Sequence, residues 1–153
     1  MAAVGAYKSP LGILRVATQR GRIVAMNFSG GQGRVTGGLD SLNKKCRRQL
    51  DEYFTGRRRA FDLPLKFSGT AFQKKIWRAL CRIPYGSTRS YRDIAKAVGN
   101  KRAVRAAAGA IARNKILVLV PCHRVVRSDG REARYAAGAL RKQWLLSHER
   151  RVL

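Results

Sequence analysis

Five consecutive aliphatic residues, Ile116-Leu117-Val118-Leu119-Val120, interrupt a chain in which 33 of 153 residues are Lys or Arg, and the run leads directly into Pro121-Cys122-His123-Arg124-Val125. A stretch this apolar in so basic a chain has to be buried, and its β-branched content predicts a buried extended strand. Where that strand surfaces, a cysteine, a histidine and an arginine surface with it. The length allows a real core in one domain or in two small ones. Apolar residues make up 45% of the chain, and no uninterrupted apolar run approaches the roughly 20 residues that cross a bilayer.

The hydrophobic pattern changes character along the chain. Ile13 to Thr18 and Ile23 to Phe28 are short β-prone runs separated by Gln19-Arg20-Gly21, with an earlier turn at Ser9-Pro10-Leu11-Gly12. After a Gly-rich loop from Ser29 to Gly38, the residues Leu39, Leu42, Cys46, Leu50 and Tyr53 recur at helical spacing and stop at Thr55-Gly56. Phe61 to Phe67, containing Pro64, reads as an extended linker. It would join an α/β N-terminal domain, 1–64, to a mostly helical second domain, 65–153.

The second domain opens with a helix from about Ala71 to Cys81, with Phe72, Ile76, Ala79 and Leu80 at core spacing, Thr70 as N-cap and Pro84-Tyr85-Gly86 beyond its end. Ser90 caps a short helix from Tyr91 to Val98, Gly99-Asn100 turns the chain, and a second helix runs from about Arg102 to Arg113. Two short helices around a Gly-containing turn form a helix-turn-helix. On its second helix Val104, Ala108 and Ile111 face inward, while Arg102, Arg105, Ala106 and Gly109 occupy other faces, where small residues let a backbone approach DNA closely. A last helix packs Leu140, Trp144 and Leu145 inward and carries His148, read as structural, and Glu149.

Charge names a class of partner. The net charge is +25, divided as 12 basic and 4 acidic side chains (+8) in residues 1–64 and 21 and 4 (+17) in residues 65–153. Such a chain repels itself unless a polyanion screens it, and solubility needs far less, so nucleic acid is the natural partner and the second half the natural contact surface. Met1 to Lys8 lacks the basic start and apolar stretch of a secretory signal, which points to a reducing, intracellular location.

Cys46, Cys81 and Cys122 are far apart and match neither a disulfide framework nor a zinc site. Cys46 and Cys81 fall at helical core positions and read as small hydrophobes. Cys122 does not, because cationic neighbours lower a thiol pKa toward the nucleophilic thiolate. Neighbouring residues of an extended chain point to opposite sides, so Cys122 and His123 meet only through a bend or a water.

From Phe72 to Glu149 the chain resembles the catalytic domain of the alkylguanine-DNA alkyltransferases, whose signature is the Pro-Cys-His-Arg-Val pentapeptide. Ile83-Pro84-Tyr85-Gly86, Ser90-Tyr91, Gly99-Asn100, Arg105, Asn114 and Trp144-Leu145-Leu146 fall at the family's spacing from the cysteine. Residues 1–64 resemble the family more loosely. The resemblance implies a ribonuclease-H-like α/β N-terminal domain followed by a mostly α domain with a winged-helix-like helix-turn-helix. It implies repair of double-stranded DNA containing O6-alkylguanine by one irreversible transfer of the alkyl group to Cys122. No cofactor, no metal and no membrane are implied, in a monomer of the cytoplasm, or of the nucleus in a eukaryote.

The resemblance also implies roles. His123 would take the thiol proton through a water, and Glu149 would stabilise the imidazolium. Attack expels an O6 anion that needs a proton or hydrogen bond as it leaves, which Tyr91 would supply. Asn114 would tie together the turn between recognition helix and active-site strand. A base stacked in a duplex has to be rotated out to meet the thiol, and Arg105 would fill the gap. Arg102, Ala106, Ser90 and Arg124 would contact DNA. The Val125 carbonyl, the Ser128 hydroxyl and the loop of Tyr135 and Ala136 would line the pocket. Lys115 stands where the family commonly has Pro, Glu132-Ala133-Arg134-Tyr135-Ala136-Ala137 replaces a glycine-rich approach, Ala136 lacks a hydroxyl that some members aim at O6, and Ala108 replaces a frequent glycine. These departures bear on alkyl size and DNA fit more than on the chemistry.

Other classes stay open at this level. A non-catalytic lesion binder would lack the acceptor cysteine, so Cys122 argues against it. A cysteine hydrolase would need an oxyanion hole and a positioned base that nothing else in the chain suggests. A basic helix-turn-helix regulator would carry the Cys-His pair incidentally.

Overall fold

Short strands and an amphipathic helix can hide their apolar faces only against each other, and the computed structural model shows that arrangement in the first part of the chain. It describes residues 2–29, 40–129 and 133–151, in two compact units, Met1–Phe67 and Ser68–Leu153.

In the first unit β1 (Ala2–Ser9), β2 (Gly12–Gln19) and β3 (Arg22–Phe28) form an antiparallel sheet in that order. The β2 and β3 runs lie where alternation places them, with Leu14, Val16, Thr18, Ile23 and Met26 buried. The small residues of β1 carry little strand propensity, and pairing along its full length with β2 holds it instead. Ser9 builds the first turn: its hydroxyl donates to the Gly12 carbonyl at 2.6 Å and accepts from the Leu11 amide at 3.0 Å. Helix α1 (Ser41–Phe54) packs on β1 and β2 with Cys46, Leu50 and Tyr53 inward. Its N-cap, Asp40, accepts from the Asn43 amide and from the Thr18 hydroxyl, both at 2.7 Å, which pins the helix start to β2. Residues 30–39, and with them Leu39 of the expected stripe and most of the Gly-rich loop, lie outside the described residues. The stretch read as a linker is bonded to β3: the Ile23 amide donates to the Pro64 carbonyl at 2.8 Å and the Lys66 amide to the Ile23 carbonyl at 2.9 Å.

The second unit contains α2 (Ala71–Cys81), β4 (Arg89–Ser90), α3 (Tyr91–Ala97), α4 (Val104–Ala112), a 3-10 turn (Cys122–Arg124), β5 (Val125–Val126) and α5 (Ala139–Arg151). Thr70 with Gln73 and Ser90 with Asp93 form capping boxes that start α2 and α3. Helices α2, α3 and α4 pack on one another, and the Trp77 indole N–H donates to the Ala110 carbonyl at 2.9 Å, fastening α2 to α4. The parallel pairing of β4 and β5 was not expected, since two residues are too short to leave a periodic signal.

Four expectations change. Helix α4 begins at Val104, because Asn100 holds the preceding turn: its carbonyl accepts from the Ala103 amide and its side chain from the Arg102 amide, leaving Arg102 outside the helix. The buried face of α4 is Ala107, Ala110 and Ile111, with Val104 and Ala108 only partly covered. Leu140 is 82% exposed and Cys81 is exposed as well. Each sits off its helix's inward stripe, which is Lys142, Leu145, His148 and Glu149 in α5, and Ile76, Trp77, Ala79 and Leu80 in α2.

The fourth correction concerns Ile116–Val120. All five residues are buried, but they form no strand. The Val120 amide donates back to the Ile116 carbonyl at 3.1 Å, the Leu119 amide to the Leu117 carbonyl at 2.8 Å, and Val118 takes a left-handed φ of 69°. A β-branched residue rarely adopts that conformation. The run turns back on itself, and a buried side chain, Asn114, takes carbonyls that a sheet would otherwise satisfy.

Candidate active site

The coiled run delivers Pro121 and then a 3-10 turn in which Cys122, His123 and Arg124 are all buried. This turn is the bend that an extended reading lacked. Among the described residues no hydrogen bond joins the Cys122 and His123 side chains directly; each is held by a different neighbour.

Asn114, just past α4, is buried and uses its whole amide. Its oxygen accepts from the Ile116 amide at 3.0 Å, while Nδ2 donates to the carbonyls of Ile116 (3.4 Å) and Val120 (3.1 Å) and to the Cys122 sulfur at 3.2 Å. Burial pushes the Cys122 thiol up to about 11, against the opposing pull of the Asn114 hydrogen bond and the nearby Lys142 charge. The thiol at rest is therefore protonated, contrary to the lowered pKa that its cationic neighbours suggested. Cys46 is suppressed further, to about 12, by burial alone.

His123 Nε2 lies 2.8 Å from Glu149 Oε2, both groups fully enclosed. Burial lowers the imidazole pKa, and the Glu149 hydrogen bond opposes it only in part. A neutral ring facing a carboxylate carries its proton on Nε2, so the lone pair is on Nδ1, which is buried without a hydrogen-bond partner. Burial works to raise the Glu149 carboxyl, but the hydrogen bonds of His123 and Arg124 and the Arg124 charge outweigh it and hold the group ionised, well below the usual carboxylate range.

Arg124 was expected on the DNA surface. It is instead buried, with Nε 2.8 Å from Glu149 Oε1, Nη2 3.1 Å from Oε2 and Nη1 donating to the Ile83 carbonyl at 2.7 Å. A guanidinium committed to three acceptors inside the protein is a clamp, not a phosphate ligand. The Gly86 amide adds a contact to Glu149 at 3.3 Å, so the Ile83-Pro84-Tyr85-Gly86 turn is tied to the same carboxylate.

Tyr135 is buried with its ring edge toward His123, centroids 6.4 Å apart, and its hydroxyl has no hydrogen-bond partner. Tyr91, at the first turn of α3, is partly buried; burial and then the proximity of Cys122 raise its pKa, so it remains a proton donor. It borders a hollow of about 390 Å³ together with Ala108, Ala112, Arg127, Ala133 and Arg134. Ser128 and Ala136 are exposed, and Glu132 lies outside the described residues. The Ser90 hydroxyl accepts from the Asp93 amide as a cap, and Arg102, Arg105 and Ala106 are exposed around the start of α4.

Lys142 went unnoticed in the sequence. It is 1% exposed and its ammonium donates to the carbonyls of Val125 (2.5 Å) and Ala133 (3.2 Å), so the Val125 carbonyl expected in the pocket already has a partner. The signal was its spacing, three residues before Leu145 and seven before Glu149, which puts it on the buried stripe of α5. Among the described residues no group of His, Cys, Asp and Glu could hold a metal ion, and no helix is long and apolar enough to cross a membrane.

Comparison with known proteins places this geometry in context. Residues 71–151 match the family model described as 6-O-methylguanine DNA methyltransferase, DNA binding domain, and residues 3–67 match its ribonuclease-like domain. A methylated-DNA–protein-cysteine methyltransferase of Methanosarcina barkeri is 43% identical over 147 residues, 93% of each chain. The O6-methylguanine methyltransferase of Mycobacterium tuberculosis superposes with a TM-score of 0.90 at 33% identity, covering 100% of this chain and 95% of that one. A structure of the Mycobacterium tuberculosis protein in complex with DNA gives a TM-score of 0.87 at 36% identity over 96% and 92% of the two chains.

Proposed function

Because the chain belongs to the 6-O-methylguanine DNA methyltransferase family, we propose that Cys122 is the acceptor of its reaction and that His123, Glu149, Asn114 and Tyr91 serve that transfer. The activity is repair of DNA by direct, single-use transfer of an alkyl group from guanine O6 to a cysteine of the protein itself. Its partner is DNA. A setting in the cytoplasm or nucleus fits that substrate.

The observation that carries the residue assignment is the buried Glu149–His123 pair, with Nδ1 unpartnered, on the turn that holds an Asn114-bonded thiol. The thiol proton passes to Nδ1 through one intervening water, and the imidazolium is stabilised by Glu149. Sulfur then bonds to the alkyl carbon as the carbon–O6 bond breaks, and Asn114 stabilises the developing thiolate. Tyr91 donates to the guanine as charge builds on it. The net reaction moves an alkyl group from oxygen to sulfur and a proton from sulfur to the base. The base reaches this buried thiol only when rotated out of the duplex, with exposed Arg105 entering the stack in its place.

Incubation with a duplex carrying methylated guanine O6, followed by intact mass and peptide mapping, should show one added methyl equivalent on Cys122. Cys122→Ser should bind the duplex and gain no mass, because a serine hydroxyl is essentially never ionised near neutral pH. Methylation of Cys46 or Cys81 in its place would overturn the assignment.

A further inference from the structure

We propose that the first unit carries a separate, sequence-independent contact for the phosphate backbone of DNA, formed by Lys44, Arg47 and Arg48 of α1. The three line a groove of about 340 Å³ together with Tyr7 and Asp51. Positions 44, 47, 48 and 51 fall on one helix face, the one turned away from the buried stripe of Cys46, Leu50 and Tyr53. Stacking of the Tyr7 ring on Phe54, centroids 6.0 Å apart, fixes the floor.

The arrangement is unfavourable without an anion. Like charges three and four residues apart destabilise a helix. Lys44 also lies in the opening turns of α1, where the helix dipole disfavours a cation, and the N-cap carboxylate of Asp40 is engaged by the Asn43 amide and the Thr18 hydroxyl. Asp51 does not neutralise the cluster, since its carboxylate is paired with Arg57 at 3.2 Å and accepts from the Tyr7 hydroxyl at 3.4 Å. Among the described residues none of the three cations has an acidic partner. The Nε of Arg47 is shielded from water with no acceptor, leaving a desolvated guanidinium donor unsatisfied.

A phosphate at the open edge of the groove offsets the mutual repulsion of the three cations, and two guanidinium forks with an ammonium suit its geometry. The backbone of DNA is the source of that phosphate, an identification that rests on the DNA-repair reading above. The contact would add to the one made around α4, and its lack of base-directed groups makes it indifferent to sequence.

The test is the salt dependence of binding to an undamaged duplex. Each neutralised phosphate adds about 0.9 to the slope of log affinity against log salt, so a contact with two phosphates steepens the loss between 50 and 200 mM salt by about tenfold. Replacing Lys44, Arg47 and Arg48 together by Gln should remove that tenfold. A matched control replacing exposed Arg20, Arg22 and Lys66 by Gln should keep it. Transfer from free O6-methylguanine base, which needs no duplex, should be unchanged in both variants. An equal loss of slope in both variants would reduce the effect to net charge and overturn the site, as would no loss in either. Inorganic phosphate at matched ionic strength should weaken duplex binding by the parent and not by the groove variant, because it competes for the same cations; phosphate bound by the parent with no effect on its duplex affinity would make free phosphate the occupant and overturn the DNA contact. Failure of the parent to take alkyl from the free base would strike at the repair reading and leave the groove result standing.

Discussion

The side-chain amide of Asn114 donates to the sulfur of Cys122 across 3.2 Å, eight positions further along a coiled stretch of chain. The same nitrogen reaches the Val120 carbonyl, so one side chain both shapes the turn and touches the sulfur of the proposed acceptor. This explains how Ile116–Val120 can be buried without forming a strand.

Asn114→Asp separates those duties. The carboxylate can still accept from the Ile116 amide but loses every donor and places negative charge beside the sulfur. A hydrogen bond to a charged group contributes about 1.5–3 kcal/mol, so transfer from the free base near pH 7 should slow by roughly 10- to 100-fold. Single-turnover rates check this, and an unchanged rate would mean that the sulfur contact does not favour the thiolate.

The buried clamp of Arg124 makes a different forecast. Arg124→Gln leaves Glu149 with its imidazole partner and the Gly86 amide, and breaking a buried ion pair typically destabilises by about 3–5 kcal/mol. Denaturant unfolding should show a loss of that order, while the salt slope of DNA binding measured under folded conditions stays as in the parent. A slope lower by about one would return Arg124 to the DNA footprint.

Legibility followed the range of the forces. The caps at Thr70 and Ser90 and the stripe of α1 were readable because a cap is a contact three residues long and a stripe repeats every turn. The run Ile116–Val120 was read correctly as buried and wrongly as extended, since periodicity reports which residues avoid water and not what satisfies their backbone. Arg124 and Lys142 escaped for a related reason. Arg124, near a cysteine, looks like a surface group until α5 brings Glu149, 25 residues away, to it, and Lys142 looks like one until it meets the carbonyls of Val125 and Ala133. The proposed nucleophile and base stood out through a pentapeptide signature, whereas the resting charge of the thiol depends on burial, which no short motif encodes.

Stability should peak near neutral pH. Cys122, raised to about 11, stays protonated in the folded chain between about pH 9 and 11 while the unfolded thiol ionises, so its contribution is fully present below about pH 9 and is lost as pH rises through 11. At about 1.4 kcal/mol per unit, that loss is roughly 3 kcal/mol. Cys46 adds a loss of the same sign. His123 and Glu149, both held below their ordinary values, act oppositely: stability present above about pH 6.5 and 4.5 respectively falls as the medium is acidified. Denaturant midpoints at pH 7 and 10.5 check the alkaline limb, and Cys122→Ala should shrink the difference between them. An undiminished difference would place the alkaline loss elsewhere.

The last expectation concerns how a suppressed thiol reacts at all. With a pKa of about 11, only ~1 part in 10⁴ of Cys122 is thiolate at pH 7, and the proposed relay would draw the proton away during attack. Glu149→Gln keeps an acceptor near His123 but removes the charge that stabilises the imidazolium, and transfer from the free base should slow by about 10² or more at neutral pH. As pH rises the thiol ionises without help and the relay loses its advantage. An ordinary thiol would reach that point by about pH 9, whereas burial moves it toward 11, so the parent and variant rates should converge only there. Single-turnover rates across the series, each normalised to the folded fraction from near-UV circular dichroism, separate the outcomes. A deficit that stays constant with pH would make Glu149 a support of the fold or of the bound base, and no deficit would remove it from the relay. Convergence already near pH 9 would keep the relay and show instead that the thiol is not held protonated by its burial.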